Sequence, residues 1–175
     1  MDDPIVSFYA GETPDSRGRK IEEIWNFNDR QLETVHDFMQ WLFPLPTSSA
    51  YNPDAPLLTE RTAGAFRRSD ALRRRLTRSV ELMLRFYGLE SVKAQDGSTS
   101  IQQAIEFPER SRHWLTPNNH NHLRLTRMIE STRLLGLEEY SRGLFTFLEK
   151  IALDHPNQVS VRTIEFWRSA AGFFT

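Results

Sequence analysis

Polar side chains at helical spacing mark two segments of the chain as candidates for chemistry. In the first segment His36 and Gln40 lie four residues apart, which places both side chains on one side of a helix. The second segment carries a polar stripe at spacings of four, three and four residues, formed by His120, Arg124, Arg127 and Ser131. Guanidinium groups on such a stripe donate charge-assisted hydrogen bonds to carboxylates and phosphates. These residue types therefore indicate recognition of an anionic group.

We predict that the two stripes face one another across a ligand pocket. Trp41, one residue beyond Gln40, would cover this pocket, and the free N–H groups at the start of the second helix favour an anion. The predicted ligand-binding residues are His36, Gln40, Trp41, Asn119, His120, Asn121, Arg124 and Arg127. The alternative is a structural network, in which Asn119 caps the helix and the histidines and glutamine satisfy backbone groups of a proline-rich loop.

Metal binding and catalysis are the other chemical alternatives. Imidazole and carboxylate suit zinc, iron or manganese, so His36, Asp37, His120 and His122 could converge on an ion. Residues two apart on a helix point about 200° apart. His120 and His122 could therefore ligate one ion only if they precede the helix. The chain has no nucleophile elbow, glycine-rich phosphate loop or cysteine. We therefore predict no cofactor, metal or catalytic residue, and keep a hydrolase using His36 and His120 as an alternative.

Composition excludes several classes of function. The chain is 39% hydrophobic and 26% charged, which is ordinary for a globular protein, and without cysteine it has neither disulfides nor thiolate metal sites. A net charge of −1 gives no global electrostatic case for nucleic acid. A weak candidate patch for nucleic acid is formed by Arg67, Arg68, Arg74, Arg75 and Arg78. We favour a solvated face with ordinary ion pairs for this patch.

Location and assembly follow from the same composition. No apolar stretch approaches the roughly 20 residues that cross a bilayer. The acidic start, Met1-Asp2-Asp3-Pro4, lacks the apolar run of a signal peptide. We therefore expect no membrane span and a cytoplasmic location. A homodimer through the aromatic end Phe173-Phe174 is an alternative that no sequence feature decides.

Apolar residues recur at helical spacing along most of the chain, which predicts an all-α fold. We predict helices over residues 29–43, 60–68, 70–87, 138–154 and 161–171, and another that starts after Pro117-Asn118-Asn119. Shorter helices are predicted near 101–106 and after Pro108, with a polar turn segment over 89–100. The prediction is a single domain over residues 1–175, an irregular bundle of about six to eight helices with an extended N-terminal arm over 1–20.

Two segments give the chain a family resemblance. The run Phe38-Met39-Gln40-Trp41-Leu42-Phe43-Pro44 resembles the "YIQWLFP" core of the opioid growth factor receptor conserved domain. Residues 119–131, followed by Leu135-Gly136-Leu137, resemble its second hallmark. The resemblance implies a receptor for an enkephalin peptide, associated in vertebrates with the nucleus and its membrane. The repeat-containing tail of those members is not in this sequence, so we expect a compact, tailless member.

These observations converge on a non-enzymatic, receptor-like or signalling binding module for a peptide or a small anionic ligand. An enzyme using the same polar pocket is one alternative. A structural protein-interaction domain that uses surface helices is another. An enzyme would need two titratable groups that converge on an accessible space of substrate size, which is a matter of geometry.

Overall fold

The computed structural model describes residues 3–173, which form ten α-helices and one two-stranded β-sheet. The elements are α1 (Pro4–Ala10), α2 (Ile21–Trp25), α3 (Asp29–Thr34), α4 (Met39–Leu42), α5 (Glu60–Arg68), α6 (Asp70–Tyr87), β1 (Leu89–Lys93), β2 (Thr99–Gln103), α7 (Phe107–Arg110), α8 (Asn121–Leu134), α9 (Glu138–Asp154) and α10 (Val161–Ala170). The chain divides into two compact units, Met1–Leu82 and Met83–Thr175. Met1 and Asp2 of the predicted arm and Phe174 of the predicted dimer contact lie outside the described residues.

The predicted all-α bundle is right in its main character and wrong in two respects. The described residues contain ten helices rather than about six to eight, and they include a β-hairpin. Helices α5 and α9 have the predicted bounds, and α6 ends at Tyr87 before Gly88 as predicted. The single domain over residues 1–175 stays a prediction. No helix among residues 3–173 is long and apolar enough to cross a membrane.

The N-terminal segment is helical where an extended arm was predicted. The Asp3 side chain accepts hydrogen bonds from the backbone N–H groups of Ile5 and Val6, so it caps α1, and Pro4 stands at a favourable first position. Gly11 ends the helix in the left-handed region at φ 81°. The start and stop signals of this short helix were therefore present in the sequence.

The helix predicted over residues 29–43 is two helices. α3 ends at Thr34, Val35 is extended at φ −88° and ψ 128°, and α4 begins at Met39. Asp37, in the break, forms ion pairs with Arg17 and Arg19, and its carbonyl accepts a hydrogen bond from the Asn52 amide at 2.8 Å. The apolar periodicity alone predicts a continuous helix through this break. Contacts with residues distant in sequence take the place of its helical hydrogen bonds here.

A buried hydroxyl joins several helices of the first unit. Ser79 of α6 is fully buried, and its oxygen accepts a hydrogen bond from the indole N–H of Trp25 at 2.9 Å. The Tyr9 hydroxyl lies 3.3 Å from the same oxygen and donates to the Leu42 carbonyl at 2.5 Å. Burial raises the pKa of Tyr9, which therefore stays a neutral donor. These bonds place α1, α2 and α4 around α6 of this unit.

The second unit contains the hairpin that sequence periodicity missed. β1 and β2 pair antiparallel from Leu89↔Gln103 to Lys93↔Thr99, so the helix predicted near 101–106 is wrong. The turn at Asp96-Gly97, which lies in the predicted polar turn segment over residues 89–100, joins the strands. In β2, Thr99 and Ile101 are buried while Ser100 is exposed, the alternation of a strand with one buried face. This alternation is short and consists mostly of polar residues, so it gives a weak signal.

Two glycines of the second unit test the packing at the end of α6. Gly88 and Gly97 have φ values of 76° and 83°, so alanine at either is strained by about 1–2 kcal/mol. A Cβ at position 88 would lie 2.8 Å from the Phe107 Cα, whereas at position 97 it would meet nothing within 4 Å. We expect Gly88→Ala to lower the free energy of unfolding by at least about 1 kcal/mol more than Gly97→Ala, measured by urea denaturation. Equal losses would contradict this packing.

Candidate functional site

The first half of the predicted pocket lies in the first unit, where its polar groups contact the proline-rich loop over residues 44–58. Gln40 is buried, and its amide nitrogen donates to the carbonyls of His36 and Asp37, at 3.2 Å each, when its oxygen accepts from Ser49 at 3.0 Å. The Trp41 indole is buried and its N–H lies 3.4 Å from the Ser16 hydroxyl. Gln40 thus contacts the backbone carbonyl of His36. Gln40 therefore satisfies backbone carbonyls, as the structural alternative predicted, but those of His36 and Asp37; its contact with the proline-rich loop is the Ser49 hydroxyl.

The His36 ring itself lies at the surface. It is exposed and stacks on the exposed Tyr51 ring, with centroids 6.3 Å apart and planes inclined by 28°. The neighbouring Asp37 carboxylate accepts from Arg17 Nε at 3.0 Å and from Arg19 Nη2 at 2.8 Å. Burial alone would raise the pKa of Asp37, but the hydrogen bonds and charges of Arg19 and Arg17 outweigh burial and hold this pKa below its usual value. Asp37 therefore acts as the anionic partner of two arginines.

The second half of the predicted pocket lies in the second unit, at the start of α8. Asn119 accepts from the Asn121 backbone N–H at 2.9 Å, and its amide donates to the His113 carbonyl and the Thr116 hydroxyl, also at 2.9 Å. His120 is the residue that immediately precedes the helix. Asn119 thus binds the first N–H of α8 from the position before the N-cap residue His120, where the structural alternative predicted Asn119 itself as the cap.

Asn121 and Arg124 are buried together one turn into α8. The Asn121 side-chain oxygen lies 3.3 Å from Arg124 Nη1 and 3.4 Å from the Tyr87 hydroxyl. Arg124 is only 6% exposed, and burial lowers the pKa of the nearby Arg127 guanidinium, partly offset by Glu130. The structure therefore brings Asn119, Asn121 and Arg124 together. His36, Gln40 and Trp41 belong to the other unit, so the pocket that joins both groups stays a prediction.

The metal alternative gains no support from His122. Its ring is buried and Nε2 donates to the Trp114 carbonyl at 3.0 Å, while its own carbonyl accepts from the Trp167 indole at 3.2 Å. Burial lowers the pKa of His122, the Trp114 carbonyl opposes that shift, and the nearby His120 adds to it. Within residues 3–173, no three His, Asp or Glu side chains are grouped so as to hold a metal ion.

Three of the five arginines in the candidate patch contact other side chains of the first unit. The guanidinium groups of Arg75 and Arg78 lie 4.7 and 4.3 Å from the centre of the Trp25 ring, and Arg75 also pairs with Glu22. Arg67 lies 4.0 Å from Glu60. Arg68 and Arg74 of the same patch are exposed. The ion pairs with Glu22 and Glu60 are those expected of a solvated face.

A groove of about 920 Å³ lies between β2 and α9 in the second unit, and we call it the β2–α9 groove. One wall is formed by residues 98–103 and the other by one face of α9 between Glu138 and Asp154. Six consecutive residues of the strand segment line it, not every second one. A face of a sheet would contribute alternate residues, so the groove runs along the outer edge of β2. None of the predicted ligand-binding residues lines it.

The centre of the groove contains a glycine and a buried hydroxyl. A Cβ on Gly143 of α9 would lie 3.2 Å from the Thr99 carbonyl oxygen and 3.3 Å from Ile101 Cγ1, so the backbone of α9 packs closely against β2 here. The Thr99 side-chain oxygen is buried and makes no hydrogen bond within the described part of the chain. An unsatisfied buried hydroxyl costs about 1–3 kcal/mol, which a ligand group can recover.

Sequence reasoning missed this groove because its signals are weak individually. Asp96-Gly97 predicted the turn, and the spacing of Thr99 and Ile101 is that of a strand. A glycine at 143, inside a helix with a clear apolar stripe, marks a close approach of another backbone. Only the tertiary structure, through the pairing of β1 with β2, shows that the turn, the strand and Gly143 lie at the same site.

Comparison with known proteins decides the family. A sequence profile described as the opioid growth factor receptor (OGFr) conserved region matches residues 3–171. The chain belongs to the opioid growth factor receptor family. The resemblance predicted from residues 38–44 and 119–131 is therefore confirmed, and both segments lie inside the matched region of the family.

Individual members of the family are similar along most of this chain. The opioid growth factor receptors of Mus musculus and Homo sapiens are 39% and 37% identical to it over 155 and 151 residues, which is 86% and 83% of this chain but 24% and 22% of those proteins. Opioid growth factor receptor-like protein 1 of Rattus norvegicus is 32% identical over 152 residues, 85% of this chain and 32% of its own length. The chain thus spans about a quarter to a third of these curated relatives. No solved structure matches it.

The ion pairs of Asp37 predict an acid dependence of stability. Since the pKa of Asp37 is lowered in the folded state, its contribution is present above the unfolded pKa of about 3.9 and is lost as the pH falls through the folded value. We expect Asp37→Asn to lower the free energy of unfolding near pH 7 and this difference to shrink below about pH 4. The control is Asp54→Asn, an exposed position. A difference for Asp37→Asn that is independent of pH would contradict the assignment.

Proposed function

We propose that the chain is a non-enzymatic, receptor-like binding module that takes a peptide in the β2–α9 groove. The observation that carries the proposal is the groove itself, which exposed charges of both signs line together with the unsatisfied Thr99 hydroxyl. The relatives in Mus musculus and Homo sapiens carry the name opioid growth factor receptor, which supports a receptor-like role for this chain.

The size of the groove fits a short segment of chain. Ligand sites range from about 300 to 1,000 Å³, and the groove, at about 920 Å³, lies near the upper end of that range. β2 has five residues, and at about 3.3 Å per residue the strand measures about 17 Å. An extended peptide of about five to seven residues would lie along this length. A small anion such as phosphate would fill a minor part of it.

Charged side chains of α9 supply the polar contacts of the groove. Glu138 and Glu139 stand near its start, Arg142 and Lys150 along its middle, and Asp154 at its end. All five are exposed, and none forms an ion pair with another residue in the range 3–173. Charges of both signs that are not neutralised within the protein suit a ligand that itself carries both signs, as most peptides do.

The titratable groups of the groove all lie on one helix, α9. Its titratable residues are carboxylates, one arginine and one lysine on the exposed side of a helix, and no histidine lines it. General acid–base catalysis needs groups that converge on the substrate with pKa values near the working pH. These features support binding over catalysis at this place.

Charge reversal in the groove tests the proposal. Peptides of about seven residues are selected from a random displayed library on the complete chain, and their affinities are measured by fluorescence polarisation. We expect the double variant Arg142→Glu, Lys150→Glu to weaken selected peptides by about tenfold or more, equivalent to about 1.4 kcal/mol. Arg74→Glu, an exposed arginine of α6 in the first unit, is the matched control.

The outcomes separate the alternatives. Peptides that bind the double variant and the wild type equally would place recognition elsewhere, and a library that yields no binder would refute a peptide-binding module. An enkephalin peptide and inorganic phosphate are included as individual probes. Phosphate that raises the melting temperature without competing with any selected peptide would indicate a separate anion site.

A further inference from the structure

We propose that the β2–α9 groove selects peptides by the order of their charges, with an acidic centre and a basic residue toward each end. This inference rests on the proposed function and adds the chemical class of the ligand. Complementary charges at an interface provide specificity, because a ligand with the reverse order places like charges opposite one another. The groove would therefore reject a peptide of the same composition in the reverse order.

The charges that decide this order lie along one side of α9. We call the α9 stripe the set formed by Glu139, Arg142, Thr146, Lys150 and Asp154. Spacings of three, four, four and four residues place these side chains on one side of the helix. All of them are exposed and line the groove. From the beginning of α9 to its end, the stripe therefore runs acidic, basic, neutral, basic and acidic.

The opposite wall of the groove carries no charge. Residues 98–103 are two serines, a threonine, an isoleucine and two glutamines. Hydroxyl and amide side chains both donate and accept hydrogen bonds, so they contact acidic and basic groups alike. Of the two walls, only α9 thus distinguishes one order of charges from the reverse.

The two ends of the α9 stripe are far enough apart to act separately on a ligand. A helix rises about 1.5 Å per residue, so Glu139 and Asp154 lie about 22 Å apart along the axis. Charges are screened over about 8 Å at physiological ionic strength, so a charged end group interacts mainly with the nearer end. An extended peptide of about seven residues is about 20 Å long from its first to its last Cα atom. Its end groups would therefore lie near Glu139 and Asp154, and its centre between Arg142 and Lys150.

Asp154 is the charge with the least structural reason for its position. It is the last residue of α9, where the helix dipole disfavours a carboxylate, and the last turn contains no basic residue. Its side chain forms no hydrogen bond or ion pair with any residue from 3 to 173. Glu138 and Glu139, by contrast, stand in the first turn, where the dipole favours them. A basic group of a ligand at Asp154 would neutralise both the carboxylate and the negative end of the helix dipole.

Arg142 and Lys150 likewise keep their charges available at the centre of the groove. Their acidic neighbours in the α9 stripe stand three and four residues away, at the spacing of helical ion pairs, but form no ion pair with them. Thr99, whose hydroxyl makes no hydrogen bond within the described residues, lies opposite Gly143, the neighbour of Arg142. A hydroxyl and a guanidinium both donate hydrogen bonds to a carboxylate. The middle of the groove therefore favours an acidic group of the ligand.

An exchange of charges within a peptide tests the inference. Library-selected peptides that lose affinity for the double variant Arg142→Glu, Lys150→Glu are sequenced, and the acidic and basic residues of one peptide then exchange places. The permuted copy keeps the composition and the net charge. We expect its affinity for the complete chain, measured by fluorescence polarisation at about 0.15 M salt, to be lower by about tenfold or more. Equal affinity of the two copies, or selected peptides without the acidic centre and basic ends, would overturn the inference.

An exchange within the protein gives a second, reciprocal measurement. The double variant Lys150→Asp, Asp154→Lys reverses the charge order at one end of the groove and keeps the net charge. It moves a positive charge to the end of α9, where the helix dipole favours it, so we expect the folded state to persist. The original peptide should bind this variant about tenfold more weakly, and a copy with its acidic and basic residues exchanged at the matching end should recover the loss.

Two such copies are synthesised, one for each end, because the direction of the peptide in the groove is part of the result. Recovery by one copy supports the charge order, and a loss that neither copy recovers would contradict it. The control is Arg162→Glu, Glu165→Arg, an exchange between exposed residues of α10 that do not line the groove. The original peptide should bind this control as it binds the wild type.

The two proposals fail in different ways. A peptide that is weakened by Arg142→Glu, Lys150→Glu but is insensitive to the order of its charges leaves the groove as the site and refutes selection by charge order. A peptide insensitive to every change in α9 refutes the groove itself, and the charge order with it.

Discussion

The close approach of α9 to β2 at Gly143 is the contact on which the groove of the second unit depends. A larger residue would place its Cβ 3.2 Å from the Thr99 carbonyl oxygen, a contact that requires β2 or α9 to shift by a few tenths of an ångström. The same contact covers part of a strand edge that would otherwise offer unpaired groups to solvent. A hairpin of two five-residue strands is marginally stable alone, so its packing on α9 is also what maintains it.

The polar residues that first attract attention in the sequence have strong structural roles. Asn119 binds the first N–H of α8, Gln40 contacts the loop through Ser49, and Asp37 pairs with Arg17 and Arg19. Polar groups that are buried and hydrogen bonded specify one arrangement of the backbone, because leaving any of them unpaired costs free energy. The groove has the opposite character, since its polar groups are exposed or lack partners. Unsatisfied groups indicate a ligand more directly than unusual residue types do.

Local signals predicted most of the fold. Thr59 and Glu60 at the start of α5, the apolar stripe and Gly88 of α6, and the long stripe of α9 gave elements at the right places. Predictions failed where distant contacts override local preference. The ion pairs of Asp37 divide the helix predicted over 29–43, and pairing with β1 makes a strand of the segment near Ile101. The cap at Asp3 is also a local signal, but the N-terminal segment was predicted to be an extended arm.

The sequence by itself determined the family, and it determined most of the helices because helical periodicity depends on residues within a few positions of each other. Only the tertiary structure decided that β2 and α9 form the two walls of one groove. The ladder between Leu89–Lys93 and Thr99–Gln103 makes a strand of the second segment, and α9 meets this strand at Gly143. Whether two such segments meet depends on atoms distant in sequence, so no local pattern predicts the groove.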